Sequence, residues 1–303
     1  MARNLYGAGA HGGTVAEIQQ ALLAANFDPK GTDGVYGGNT TAAVQAFQAA
    51  QALPATGNVD DVTWQALMQR PIPGTDVRSL ELTAAFEGHG YTLAQGNWDG
   101  AWLTWGVIGF TLQHGEVQKI ILNIQASNPD LIAQAFGDKA ADLIGIMQAS
   151  GPDQERWANS VSAGSSLVEP WRTGFAVLGQ FPEVQAEQRR QAHDDYFVPA
   201  VNTARKLGLK SELGLALCFD IHVQNGGIGS AAQSTIDNAG APNSERDLRV
   251  TVANAVADSA KQAFSADVRQ RKLTIANGEG DVHGENFVLD NWGLSEAPAP
   301  ELA

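Results

Sequence analysis

The sequence predicts a mainly α-helical chain in two parts: a small three-helix domain in residues 1–70 and a larger α-rich domain in residues 80–296 with a small β region. Three observations carry this prediction. Apolar residues recur at helical spacing, first in V-A-E-I-Q-Q-A-L-L, where Val15, Ile18, Leu22 and Leu23 share one face. Pro71-Ile72-Pro73-Gly74 then interrupts the pattern, and two prolines stiffen what reads as a linker over residues 71–79. Beyond it, helical runs dominate, and only the polar, glycine-rich stretch Gly88–Ala101 reads as strand and turn.

The elements follow in order. The first helix stops in the turn-rich segment Asp28 to Gly38, with its D-P, D-G and G-G pairs. Asn39 or Thr40 is placed to cap the next helix, with Ala43, Val44 and Phe47 facing inward. Turns at Leu53-Pro54 and Thr56-Gly57 lead to a short helix carrying Val62, Trp64 and Leu67, with Asp61 as its cap. In the larger part, helices are expected over residues 116–124, 129–148, 171–178, 184–207, 212–223 and 248–276. The A-P-A-P segment in residues 297–303 reads as a flexible tail.

A chain of 303 residues with 44% hydrophobic content can bury a substantial core. Its 33 acidic and 19 basic side chains give a net charge of −14. Such a field repels nucleic acid and anionic membranes and suits a neutral or cationic ligand, besides keeping the protein soluble. The single cysteine, Cys218, excludes an intramolecular disulfide and sits in an apolar run as a core thiol. No basic and apolar leader opens the chain and no stretch is long enough to span a bilayer, so neither a classical signal peptide nor membrane insertion is expected. His114, His193 and His222 lack metal-ligand spacing, and no phosphate-binding loop occurs; neither metal nor cofactor is expected. A monomer is the simplest expectation.

Two carboxylates stand out. Glu87 ends the apolar helical stretch L-T-A-A-F, beside Phe86 at the negative end of a helix, surroundings suited to a proton donor. Asp99 follows in a turn-rich segment flanked by Trp98 and Trp102. Glycoside hydrolysis needs such a pair, one group to protonate the leaving oxygen and one to act on water or on the sugar. Trp98 and Trp102 offer faces on which sugars stack, whereas Trp105 precedes the apolar run G-V-I-G-F and reads as core. His89 and Tyr91, just after Glu87, are further candidates for contact with substrate.

Residues 15–68 resemble the type 1 peptidoglycan-binding domain. The likeness rests on V-A-E-I-Q-Q-A-L, D-G-V-Y-G, T-A-A-V-Q-A-F-Q and L-P-A-T-G-N-V-D-D-V-T-W-Q-A-L, in that order. From Leu80 onward the chain resembles the chitosanases of glycoside hydrolase family 46, a branch of the lysozyme superfamily. D-G-A-W-L-T-W-G-V-I-G-F (Asp99 to Phe110) has the spacing of that family's D-G-R-G-Y-T-x-G-I-I-G-F strip. Q-R-R-Q-A-H-D-D-Y-F-V-P-A-V-N-T-A-R, L-C-F-D-I-H-V-Q-N-G-G and A-D-V-R-Q-R-K-L resemble later blocks in the same order.

The resemblance implies a two-lobed fold in which Glu87 is the general acid, Asp99 the general base and Thr104 holds the attacking water. Asp220 and Arg269 match a buried ion-pair relay behind the acid; a purely structural pair between core helices is the alternative. The family inverts the anomeric centre, which requires carboxylates far enough apart to admit water. The chain departs from the family in three places. The segment from Glu87 to Asp99 is short, Ala101 replaces an arginine in the strip, and a further relay arginine is missing. In its region, G-D-V-H-G-E-N-F, His283 is placed either to supply a hydrogen bond or to end a turn.

A binding module joined to a glycan-cutting domain implies a peptidoglycan hydrolase of the muramidase type, with peptidoglycan as partner. Such an enzyme, made in the cytoplasm without a leader, would act on the bacterial wall after release, as phage endolysins or secreted antibacterial effectors do. A chitosanase is the alternative enzyme, and a non-catalytic wall-binding protein with a degenerate hydrolase fold is the rival from another class.

Overall fold

The structure is a computed structural model that describes residues 2–88 and 90–303. It is mainly α, with small antiparallel sheets. Two compact units emerge: residues up to Phe86 together with Tyr196–Ala303 form the first, and Glu87–Asp195 the second.

The first unit opens with β1 (Asn4–Tyr6), which pairs antiparallel with β2 (Val59–Asp60). Between them lie α1 (Gly13–Ala24) and α2 (Gly38–Ala50), and α3 (Asp61–Met68) follows. Val15, Ile18, Leu22, Ala43, Val44, Phe47 and Trp64 are buried, as the periodicity requires, but Leu23 points outward. The α3 cap is Asp60, whose carboxylate accepts from the Thr63 N–H at 2.7 Å, so Asp61 is the first helical residue. No side chain caps α2, which starts at Gly38. Helix α4 (Thr75–Glu87) begins inside the expected linker, leaving only residues 69–74 between α3 and α4.

The second unit carries a three-stranded sheet, β3 (Ala94–Gln95), β4 (Thr104–Trp105) and β5 (Phe110–Thr111), in that order. Around it stand α5 (Glu116–Ser127), α6 (Pro129–Phe136), α7 (Ala140–Met147), α8 (Gly151–Ser160), the hairpin of β6 (Ser162–Ala163) and β7 (Ser166–Leu167), α9 (Trp171–Leu178) and α10 (Pro182–Ala192). The single helix expected over residues 129–148 is broken at Gly137, whose φ of 56° is left-handed.

A π-helical turn, His193–Phe197, leads into α11 (Val198–Leu207). The first unit then continues with α12 (Glu212–Asn225), α13 (Ser230–Asn238), α14 (Glu245–Ser259), α15 (Ser265–Asn277) and the hairpin of β8 (Glu279–Val282) and β9 (Glu285–Val288). Residues 248–276 are thus two helices and not one. The C-terminal residues are not a loose tail: Pro298 bridges to Ser211, the Ala299 N–H donates to the Lys210 carbonyl at 2.8 Å, and Ala299 is buried.

One apolar core runs through the whole first unit, joining Leu5, Tyr6, Val15 and Trp64 to Phe86, Leu217, Val252, Ile275 and Trp292. The amino-terminal helices are therefore not a tethered bead. Buried charges fasten the same joint. Glu212 at the start of α12 is wholly buried and accepts from Arg3 at 2.5 and 2.6 Å and from Arg78 at 2.9 Å. Glu81, on α4, accepts from the Thr14 N–H at 2.7 Å and so serves one of the unpaired donors at the start of α1. Burial, and next to it the charge of Glu81, push the Tyr6 hydroxyl well above the usual tyrosine range.

Candidate active site

Glu87 is the last residue of α4 and the first of the second unit, and it is half-buried. Gly88, with φ 64°, ends the helix in the left-handed conformation that glycine adopts without penalty. His89, expected to line the site, lies outside the described residues. The end of the helix is fixed from the first unit's own side: the Arg271 guanidinium lies 5.3 Å from the centre of the Phe86 ring, and His283 Nδ1 meets the Phe86 carbonyl at 3.0 Å.

Asp99 sits in the loop between β3 and β4 and is exposed. Its Oδ1 accepts from the Ala101 N–H at 3.1 Å, an Asx turn that orients the carboxylate. The same loop is pinned by Asn97. Its Oδ1 accepts from the Trp102 N–H at 3.1 Å, its Nδ2 donates to Asn159 at 2.7 Å, and its N–H donates to Ser162 Oγ at 2.7 Å. Thr104 opens β4 opposite Gln95 and Thr111, half-buried. Alternation along the strand turns Trp105 to the other face, into the core, where its indole N–H donates to the Phe175 carbonyl at 3.1 Å.

The aromatic candidates separate. Trp98 is 61% exposed beside Asp99. Trp102 is half-buried with φ 65°, rare for a bulky residue, and its ring edge closes on Gly151. Tyr91 has Arg189 stacked 5.7 Å over its ring and hydrogen bonded to its hydroxyl at 3.3 Å, so it is engaged with protein on one face.

The structure corrects the supporting pair. Arg269 is partly exposed and bonds Asp258 and Asn254. Asp220 instead meets Arg271, by Nε at 2.9 Å to each oxygen and Nη2 at 2.6 Å, together with Lys272 and the Thr83 hydroxyl at 3.0 Å. Burial alone would raise the Asp220 carboxyl, but the charges and hydrogen bonds of Arg271 and Lys272 outweigh it and hold the carboxyl at about 2. The missed signal lay in the helix period. Val268, Arg271, Lys272 and Ile275 form one inward stripe of α15, and Arg269 points off it.

Gln188 was also missed. Fully buried on α10, it accepts from the Val107 N–H at 3.0 Å and donates to the Tyr91 carbonyl at 3.2 Å, tying the sheet to the segment after Glu87. Its Oε1 comes so close to Gly106 that a Cβ there would meet it at 2.3 Å.

A family model described as "Putative peptidoglycan binding domain" matches residues 11–67. That of glycosyl hydrolase family 46 matches residues 79–249, more than half of the chain. The chain belongs to glycosyl hydrolase family 46. Among solved structures, this family 46 hydrolase is similar to the chitosanase of Gynuella sunshinyii in complex with chitotetraose, at a TM-score of 0.51 and 18% identity, over 73% of this chain and 99% of that one. Native chitosanase from Bacillus subtilis MY002 is equally similar, at 0.51 and 18%, over 71% and 97%. At these identities the likeness is one of fold. No curated protein is a significant match.

The family 46 hydrolase thus holds Glu87 at a helix end and Asp99 on a loop, both within its second unit. Cys218 is buried, and burial pushes its thiol up to about 12, which leaves it inert. His222 bonds Thr203 at 2.8 Å and His114 bonds Thr111 at 2.9 Å. Among the described residues no three His, Cys, Asp or Glu side chains gather as metal ligands, and no helix is long and apolar enough to cross a membrane.

Proposed function

We propose that this hydrolase cleaves an amino-sugar glycan by inverting acid/base catalysis, with chitosan-type cationic polymer as its substrate. Glu87 donates a proton to the glycosidic oxygen as the bond from that oxygen to the anomeric carbon breaks. Asp99 accepts a proton from the water that attacks the anomeric carbon from the opposite side, so Glu87 ends ionised and Asp99 protonated. Thr104 helps hold that water, Trp98 stacks on a sugar ring, and Trp102 shapes the loop beneath it. Asp220 and Arg271 take the supporting place expected of Asp220 and Arg269. The observation that carries the reading is the Asp99–Phe110 strip, which forms a sheet with an exposed, hydrogen-bond-oriented carboxylate at its head in a family 46 chain. Residues 87–195 carry 13 carboxylates against six basic side chains, a field that favours a polycation.

The muramidase reading is second, favoured by the peptidoglycan-binding match, which also supports action at the bacterial wall. Parallel digestion of chitosan and purified peptidoglycan, with products analysed by mass spectrometry and Glu87→Gln as control, decides between them. Glucosamine oligomers, absent with the variant and α-anomeric at their new reducing ends by proton NMR of fresh digests, are the expected result. Muropeptides alone would establish the second reading, and binding without product from either polymer would show a degenerate, non-catalytic fold.

A further inference from the structure

The turn between β8 and β9 holds a histidine in its first position. Val282 pairs with Glu285, so His283 and Gly284 form a two-residue loop, and both are left-handed, with φ of 53° and 87°. That conformation is the one in which Asn, Asp or Gly leads such hairpins. Histidine is among the non-glycine residues that enter this region most readily, so the backbone admits it, and what sets His283 apart is what its ring touches.

What the side chain gains is a bridge. His283 Nδ1 meets the Phe86 carbonyl at 3.0 Å, and Nε2 meets Asp267 Oδ1 at 2.6 Å. The Phe86 carbonyl is one of the last four of α4, which have no partner within the helix. Asp267, in the first turn of α15, is itself held, since its other oxygen accepts from Gln224 Nε2 at 3.0 Å. Both neighbours of the ring are oxygens within hydrogen-bond distance, so the imidazole spans from the helix end to the Asp267 carboxylate. Nearby charges are Arg271, over the Phe86 ring, Asp281 on β8, and Glu285 on β9, which lies 3.9 Å from His11.

We propose that His283 is a positioning residue for Glu87: anchored on Asp267, it fixes the carbonyl one residue before the acid and with it the orientation of the last turn of α4. The inference rests on Glu87 being the acid. The test uses full-length His283→Asn, which suits the turn but cannot span both partners, and Asp267→Ala, which leaves the turn intact and removes the anchor. In the parent, nitrogen-15 spectra of labelled histidine should show one ring, absent in His283→Asn, with both nitrogens engaged in hydrogen bonds. Hydrogen exchange at the end of α4 should speed up at least tenfold in both variants while the core of α12 stays protected. On the polymer the parent cleaves, kcat should fall about ten- to a hundredfold with KM little changed. Unaltered exchange at the end of α4, or kcat equal to the parent's, would reduce His283 to a turn residue. A parent inactive on every polymer would sink the hydrolase reading while exchange still decided whether His283 orders the helix end.

Discussion

Two arginines two residues apart on α15 make a sharp test of the buried network. Arg271 is 1% exposed and gives Asp220 three N–H contacts, whereas Arg269 reaches Asp258 from a surface position. Breaking a buried pair by removing one partner costs about 3–5 kcal/mol, because the remaining charge is left without compensation. An exposed pair is worth about 0.2–1 kcal/mol. Replacing Arg271 by Gln leaves Asp220 wholly buried, but Lys272 and Thr83 still pair with it, so the loss falls at the low end of that range, about 3 kcal/mol. With a denaturant slope of about 3 kcal/mol per molar urea, the midpoint should fall by at least ~1 M for Arg271→Gln and by less than ~0.3 M for Arg269→Gln. Urea titrations of the full chain followed by tryptophan fluorescence measure both. Equal losses, or a larger one for Arg269→Gln, would refute the pairing and return the supporting role to Arg269.

The same carboxyl sets an acid limit: held at about 2, below the usual carboxylate range, Asp220 contributes on the order of 2 kcal/mol. Because its folded value is depressed, that stability is full above the unfolded value and is lost as pH falls through about 2. Acid titration by circular dichroism should show this limb in the parent and a weaker one in Arg271→Gln. Deleting residues 2–73 should yield unfolded or insoluble protein, since it uncovers the shared core and strips Glu81 of Thr14 and Glu212 of Arg3; a soluble truncation with parental activity on short oligomers would show a dispensable tether. Trp98→Ala should raise KM for the cleaved polymer by up to about tenfold at unchanged kcat, as the loss of one stacking contact of about 0.5–1.5 kcal/mol implies. An unchanged KM would remove Trp98 from the binding surface.

Much of the amino-terminal module was legible because its helices are short, punctuated and periodic: Val15, Ile18 and Leu22 are buried at the expected spacing. Its attachment was not. β1 is three residues of a segment without alternation, and Arg3, Arg78 and Glu212 lie far apart in sequence, so no local pattern announces their meeting. The glycine-rich patch was recognisable as strand and turn, yet the Asx turn at Asp99 and the Asn97 contacts depend on partners up to 65 residues away. A-D-V-R-Q-R-K-L offers two arginines, and only the inward stripe of α15 through Val268, Arg271, Lys272 and Ile275 separates the buried one from Arg269.

The buried charges of the first unit are better understood as fixing position than as adding stability. Replacing such pairs with apolar residues of similar volume is often neutral or stabilising, so their number is weak evidence for strength. Their distribution is informative. Along α4, Arg78 bonds Glu212, Glu81 bonds the start of α1, Thr83 bonds Asp220, and the Phe86 carbonyl bonds His283. Each partner belongs to a different segment or a different turn of helix, and each contact is directional. An apolar helix buried on nearly every side can rotate or slide with little loss of contact area. A helix carrying four such bonds cannot do so without leaving buried donors or acceptors unpaired, at about 1–3 kcal/mol for each. Position along α4 decides where its last residue lies, and that residue is Glu87. The polar network thus defines the register of the helix that ends in the proposed acid, and it draws the amino-terminal module into the same framework through Glu81.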